Sequence, residues 1–492
     1  MSEGNSKGSA QKAKKGQDNG GQRPKKKSGP SARSKIAHRI TDVCNLGRLC
    51  IGTAGGVLFN CTDKRWYIWD GARFRVDTKG NINEITMAVM QGIYDEAEGR
   101  SSPEEREILI DWARRSEMHD RLKACIKLAE TDSNFTVCRD ELDADPWLLG
   151  AQNGTIDLRT GELKEPKRSD KITKSVGYNY DPDAKCPTWN SFLDVVIEGN
   201  EQKLDYLQRA AGYSLTGHTT EDCFFLLLGI GKNGKSKFID GMSFALGEYA
   251  EAASTSTFLA KGANATGHIP NDLAALTRAR MVFTSEPNKG SRFDENVIKQ
   301  LTGQDIVKAR FLFKEFFSYM PNFKIWISAN NTPEIRDLTQ SIWERVKVIE
   351  FNRYLKPEER DKSLRRKLER EKSGILRWAI EGCLKWQTFG LDEPDDISTA
   401  VKNYQYAENS IARFLGECCE EGDAAKVEVS GFYRHYSDWS KSQNEKPEKK
   451  SDVTAYLQAR GFRTMKVEGQ NFYIGVQIRL TFSEMNRNIT NW

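Results

Sequence analysis

The segment from Gly229 to Ser236 reads Gly-Ile-Gly-Lys-Asn-Gly-Lys-Ser, a complete G-x-x-x-x-G-K-S pattern, and its flanks restrict the chain more than any other feature. Before it stand Phe224, Phe225, Leu226, Leu227 and Leu228, a short apolar run that reads as a buried strand. After it, Lys237 to Leu246 has the composition of a helix. In a strand, glycine-rich turn and helix of this order, the turn's amides wrap an anion and the helix N-terminus adds partial positive charge. The pattern therefore assigns Gly229, Gly231, Asn233, Gly234, Lys235 and Ser236 to a phosphate loop. Lys235 is expected to bridge the outer phosphates of ATP and Ser236 to hold Mg²⁺.

Further strand-like runs supply the other chemistry such a loop needs. Met281-Val282-Phe283-Thr284 ends at Ser285-Glu286, about fifty residues downstream, where Glu286 is placed to polarise an attacking water. Serine occupies the position where an acid usually precedes that glutamate. Phe323 to Ala329 ends at Asn330, an amide suited to hold the lytic water or sense the γ-phosphate. Arg345 stands before a last strand, Lys347 to Phe351, and is a candidate to neutralise transition-state charge, with Arg336 as its competitor. Apolar strands alternating with helices predict an α/β P-loop NTPase core over residues 221–352.

The other segments arrange themselves around that core. Residues 1–39 carry eleven Lys and Arg against Glu3 and Asp18 and contain no aromatic residue, so they read as a disordered basic tail. The whole chain has a net charge of +5, which leaves the remainder slightly acidic. An N-terminal α+β domain is expected over 40–185, a helical collar over 186–220, a helical segment over 353–400 interrupted at Gly374, and a small domain over 401–492. No run of about 18 apolar residues occurs, and the beginning lacks a secretory signal, so a cytoplasmic protein without a membrane partner is expected. Cys44, Cys50 and Cys61 fall nearest to a cluster, with His38 upstream, but their spacing fits no usual zinc pattern and ordinary burial is expected. Asp143-Ala144-Asp145 has bare D-x-D spacing and reads as a charged turn.

These motifs, in this order, resemble superfamily 3 helicases, and specifically the phage and plasmid primase-helicase family typified by satellite-phage and poxvirus replication proteins. Gly229 to Ser236 looks like that family's Walker A motif, and Ser285-Glu286-Pro287 looks like its Walker B ending, which accounts for the serine. Lys299-x-Leu301-Thr302-Gly303-x-Asp305 through Arg310 resembles its B′ segment. Asn330 matches its sensor asparagine, and Arg345, within Ile342-Trp343-Glu344-Arg345-Val346, matches its arginine finger. The likeness extends over roughly residues 60–400. It implies an AAA+-like ATPase that assembles as a hexameric ring and moves 3′ to 5′ on single-stranded or forked DNA, with the arginine acting on a neighbouring subunit. No catalytic primase domain is evident.

In such rings a hairpin near Lys308 to Ser318 is implied to touch DNA, and Lys308, Arg310, Lys314 and Phe316 supply the basic and aromatic groups that grip a strand without reading its sequence. The basic run Lys446 to Lys450, a helix over Ser451 to Arg460 and two strands about Glu468-Gly469-Gln470 look like a winged-helix domain able to bind duplex origin DNA. Two competing readings are an origin-binding protein whose ATPase only controls assembly, and an RNA helicase or protein-remodelling ATPase.

Overall fold

The computed structural model describes residues 40–260, 271–284, 287–288, 290–311, 315–336 and 340–479; the basic segment 1–39 lies outside them. The chain divides into two compact units. One contains residues 40–54 and 78–135 and is helical: α1 (Asp42–Thr53), α2 (Asn81–Glu98), α3 (Pro103–Ser116) and α4 (His119–Ala129). Side-chain oxygens of Thr41 and Ser102 accept from backbone N–H groups in the first turns of α1 and α3, and Pro103 opens α3 where its missing N–H costs nothing. Buried Asn45 ties α1 to α3, donating to Ser116 Oγ at 2.9 Å and accepting from Trp112 Nε1 at 3.1 Å.

The other unit holds residues 55–77 and 136–479. Its first sheet has the order β3-β2-β1-β4, from β1 (Val57–Asn60), β2 (Arg65–Trp69), β3 (Phe74–Val76) and β4 (Thr136–Val137). An antiparallel meander follows: β5 (Leu148–Ala151), β6 (Gly154–Asp157) and β7 (Glu162–Lys164). The helical collar expected over 186–220 consists of two helices, α5 (Pro187–Ile197) and α6 (Glu201–Tyr213), because Glu198 and Gly199 adopt φ of +59° and +69° and turn the chain.

The central sheet is wholly parallel. It is built from β8 (Phe224–Leu228), β9 (Ala250–Ala252), β10 (Met281–Thr284), β13 (Lys324–Ala329) and β14 (Val346–Glu350), in the order β14-β8-β13-β10-β9. Helix α7 (Lys235–Leu246) follows β8, and α8 (Asn271–Ala275) precedes β10. Between β10 and β13 come α9 (Glu295–Thr302) and a two-stranded ribbon, β11 (Val307–Ala309) with β12 (Phe317–Tyr319); α10 (Gln340–Trp343) leads into β14. Strand alternation sorts the apolar side chains into two cores. Phe225, Leu227, Trp326 and Ile349 join one, and Phe224, Leu226, Ile325, Ile327, Val346 and Val348 join the other. Both faces are covered, which is why β8 is continuously apolar and β13 and β10 nearly so, rather than alternating with polar residues.

Helices α11 (Leu364–Arg370) and α12 (Lys372–Phe389) follow the sheet. The expected interruption at Gly374 is corrected. Gly374 lies inside α12, and a Cβ there would stand 2.5 Å from the Lys185 carbonyl oxygen, so it serves close approach rather than helix breaking; the break falls at Glu371. Gly212 of α6 and Gly382 of α12 face each other's helix at similar range, a Cβ on either meeting opposing backbone at 2.0 Å. Helix α13 (Asp395–Glu408) sends Ala400 and Tyr404 into the same core as Trp343, with the Tyr404 and Trp343 rings edge-on at 5.2 Å.

The final segment runs α14 (Ser410–Cys418), β15 (Cys419–Glu428), α15 (Val429–Ser442), α16 (Lys450–Ala459), β16 (Arg463–Val467) and β17 (Gln470–Ile478). Its antiparallel strands have the order β15-β17-β16, and Phe414, Phe432, Tyr436, Trp439 and Tyr473 form a separate core. Among the described residues, no helix is long and apolar enough to cross a membrane.

Candidate functional site

The Gly229–Ser236 loop emerges from the C-terminal end of β8, between strands β14 and β13, which both come later in the chain. Ligands of open parallel sheets bind at such strand ends, where flanking connections diverge. The loop turns through Gly231 at φ +83°, Lys232 at +53° and Gly234 at +97°. Gly229 is required for space: a Cβ would lie 2.1 Å from Asn233 Nδ2 and 2.3 Å from the Phe351 carbonyl oxygen. The Leu355 amide bonds the Lys232 carbonyl at 3.0 Å, anchoring the loop to the segment beyond β14.

Lys235, the first residue of α7, is buried with its ammonium directed into the loop. Its Nζ donates to the Gly229 carbonyl at 2.6 Å, to Asn233 Oδ1 at 3.1 Å and to Asn330 Oδ1 at 3.1 Å. Asn233 is buried as well and donates its amide to the Phe351 carbonyl at 2.8 Å, so one side chain links the loop, the lysine and the end of β14. Asn330 follows β13, the strand paired directly with β8, and parallel register brings it level with Gly229. Ser236 is exposed on the first turn of α7, where its hydroxyl is available to a hydrated cation. Of the expected positions, Gly229, Gly231, Asn233, Gly234, Lys235, Ser236 and Asn330 come together as one site. Glu286 and its neighbour Ser285, expected beyond β10, lie outside the described residues.

A cavity of about 740 Å³ opens beside the loop. Phe192, Val195 and Val196 of α5 form one wall, and Leu355 and Leu364 contribute to another. Charged groups on its rim are engaged locally: Glu359 with Arg353 and the Lys356 amide, Arg360 with the Leu355 carbonyl and Tyr354 hydroxyl. Hydrogen bonds from Lys367 and Ser363 hold the Asp361 carboxyl down at about 2. The apolar walls escaped the sequence reading because α5 lies some forty residues before the loop and reads as ordinary core.

Arg345 is not part of this cluster. It precedes β14 at the opposite end of the sheet from the loop, since Val346 pairs with Phe224 and Glu350 with Leu228. Its Nη1 donates to the Ser341 carbonyl at 2.7 Å, and its Nε is buried without a hydrogen-bond partner among the described residues. Arg336 is exposed and paired with Glu334 at 2.9 Å.

Lys308, Arg310 and Phe316 lie on the β11–β12 ribbon. Lys308 is the exposed centre of β11 opposite Ser318, whereas Val307 and Ala309 are buried. Beyond the strand, Arg310 lies over the Phe316 ring at 4.8 Å, and Phe316 is 54% exposed. Lys314 lies outside the described residues. Beneath the ribbon, the Arg139 guanidinium covers the Phe317 ring at 3.6 Å. Asp143 and Asp145 are occupied structurally: Asp143 accepts from the Thr173 amide at 2.7 Å, and Asp145 pairs with Arg159 at 3.0 Å. Among the described residues, no group of three or more His, Cys, Asp or Glu could hold a metal ion.

Residues 48–198 match the family described as D5 N terminal like. The chain is 26% identical over 363 residues to a protein described as a putative helicase in Acanthamoeba polyphaga mimivirus, which covers 69% of this chain and 37% of that protein. A protein similarly described in Frog virus 3 (isolate Goorha) is 23% identical over 258 residues, covering 49% of this chain and 26% of its own length. The chain thus spans about a quarter to two-fifths of the curated relatives it matches. The apo structure of the C-terminal region of NrS-1 aligns with a TM-score of 0.47 at 11% identity, over 88% of this chain and 99% of that one. The family match thus covers under a third of the chain, and both viral relatives are described as putative helicases.

Proposed function

We propose that this chain is an ATP-dependent DNA helicase, a ring-forming 3′–5′ translocase on single-stranded DNA in genome replication. The carrying observation is the convergence of Lys235, Asn233 and Asn330 at the C-terminal edge of a parallel sheet, around a loop whose Gly229 leaves no room for a Cβ. That arrangement supports a P-loop NTPase core with AAA+-like strand order. In it, Lys235 leaves its protein oxygens to meet the outer phosphates of ATP, α7 directs its N-terminal dipole at the same charge, and Asn330 orients the reacting end. Mg²⁺ bound through Ser236 would neutralise phosphate charge. Glu286 is the residue proposed, from its sequence context alone, to take the proton from water.

The exposed Lys308, Arg310 and Phe316 support single-strand contact through the ribbon, cations meeting phosphate and the ring stacking on bases. In the last segment, the order helix, strand, helix, helix, strand, strand supports a winged-helix domain, with α16 and the β16–β17 hairpin as its duplex-binding parts. This favours origin recognition as a second role.

A forked-DNA unwinding assay with ATP, run alongside the Lys235→Ala protein, tests the proposal. Unwinding lost in the variant is expected. Site-specific duplex protection without any strand separation would instead favour an origin-binding protein whose ATPase controls assembly, and stimulation of hydrolysis by RNA or protein alone would favour the remodelling alternatives.

A further inference from the structure

Cys61 and Cys138 are 77 residues apart in sequence and adjacent in the fold. Strands β1 and β4 are parallel, with Phe59 beside Thr136 and Asn60 beside Val137, and the Cys61 amide donates to the Val137 carbonyl at 3.0 Å. The next residue of each strand is therefore a cysteine standing level with the other, and residues level on neighbouring strands point to the same side. Their Sγ atoms lie 3.6 Å apart. Reaching the bond length of about 2.05 Å needs a sulfur movement of about 1.5 Å, within the range of side-chain rotation at two strand ends. Sequence spacing groups Cys61 with Cys44 and Cys50; the fold gives it a different neighbour.

This pair is also accessible. Cys138 is exposed and Cys61 partly so, whereas Cys125, Cys186, Cys223, Cys383, Cys418 and Cys419 are buried. Burial pushes the Cys125 thiol up to about 11 and those of Cys223 and Cys383 up to about 12, which suppresses their thiolates.

What the pair sits on gives it a consequence. Asp63, two residues after Cys61, is held in a turn by Asn60, whose Oδ1 accepts from the Asp63 amide at 3.1 Å. Arg139, next to Cys138, is ion-paired with Asp63 and lies against Phe317 of the β11–β12 ribbon at 3.6 Å. The two cysteines thus border the ion pair that supports the ribbon.

We infer that Cys61 and Cys138 form a reversible dithiol–disulfide couple, oxidised by a hydroperoxide and reduced by exchange with a small dithiol, whose bridge fixes the Asp63–Arg139 support beneath the β11–β12 ribbon. One thiolate attacks a peroxide oxygen, giving a sulfenic acid and, from hydrogen peroxide, one water. The second thiol then displaces the hydroxyl from that sulfur, forming the S–S bond and releasing a second water. Two electrons and two thiol protons pass to the peroxide. Contact with the Cys61 sulfur raises the Cys138 thiol above its usual range, so the first step accelerates as pH rises above neutrality.

The full chain is treated with hydrogen peroxide, alkylated, and mapped by mass spectrometry without reduction, with hydrogen exchange measured on the same samples. A peptide linked through Cys61 and Cys138, lighter by two hydrogens and released by dithiothreitol, is expected, and it is absent from both Cys61→Ser and Cys138→Ser. Exchange in Val307–Ala309 and Phe317–Tyr319 should slow by about threefold or more in oxidised wild type and stay unchanged in peroxide-treated Cys61→Ser. Both thiols still open to alkylation, or oxidation only to sulfinic and sulfonic acids, would overturn the couple. A mapped bridge with unaltered ribbon exchange would overturn its link to the ribbon. Neither readout depends on whether the ribbon binds DNA.

Discussion

Lys235 Nζ stands 3.1 Å from Asn330 Oδ1, so the first residue of α7 and the first residue beyond β13 are joined across the edge of the central sheet. An amide oxygen can accept from the ammonium and, once the ammonium engages phosphate, accept from a water instead. Asn330→Ala is expected to lower ATP hydrolysis by about ten- to a hundredfold while changing nucleotide affinity by only a few fold. Fluorescent-nucleotide titration beside steady-state turnover separates the two; a proportional loss of affinity would reassign Asn330 to substrate binding. Lys235→Ala should differ by losing nucleotide binding itself.

Gly229→Ala probes the loop through space rather than charge. The added methyl would lie 2.1 Å from Asn233 Nδ2 and 2.3 Å from the Phe351 oxygen, so it must break the 2.8 Å bond that fixes Asn233 beneath Lys235. ATP affinity should fall by at least about tenfold, with a loss of stability of about 1–3 kcal/mol from the overpacked loop. Calorimetric ATP titration of the folded variant decides it. Wild-type affinity would mean that the loop relaxes without moving the lysine.

The apolar strands and the loop were legible because burial on both faces leaves β8 wholly apolar and most of β13 so, and because the G-x-x-x-x-G-K-S pattern has few alternative structures. Asn330 was legible by its place after a strand. The Asn233–Phe351 link and the cavity walls on α5 were not, since they join residues separated by more than thirty positions with no periodic signal. Gly374 shows the opposite error, a glycine read as punctuation although its missing Cβ admits the Lys185 backbone. Local sequence reports conformational permission, and only packing reveals which use is made of it.

Glu408 gives the core a pH response. Burial, opposed by a 3.3 Å hydrogen bond from the Ile335 amide and assisted by Glu334, raises its carboxyl to about 7. The folded protein therefore keeps a proton that the unfolded chain releases near its ordinary value, and stability falls as pH rises between about 4.5 and 7. Solvent reaches much of the group, so the contribution is about 1 kcal/mol. Glu408→Gln should remove this slope and raise the melting midpoint at pH 8 by about 1–3 °C, with little change at pH 5. Parallel melting curves for both proteins across pH 5–8 would contradict the assignment.

Arg345 is expected to act on ATP bound to a neighbouring subunit. It lies one residue before Val346, which pairs with Phe224, whereas Gly229 begins beyond the far end of β8. Six residues of parallel strand separate the two levels, about 20 Å, farther than an arginine side chain extends. Its guanidinium is held by the Ser341 carbonyl in α10, away from its own loop, and its Nε has no hydrogen-bond partner among the described residues. Arg345→Ala should therefore cost two or more orders of magnitude, about 3 kcal/mol or more, in hydrolysis while leaving nucleotide affinity much less affected, because the charge matters most as the phosphate transfers. Mixing subunits tests the direction of action. Arg345→Ala subunits keep a sound loop, and Lys235→Ala subunits keep a sound arginine, so co-assembled rings should hydrolyse ATP faster than either parent. If confirmed mixed rings show only the summed residual activities, Arg345 does not act across the interface, and Arg336, exposed beside Glu334, becomes the residue to replace next.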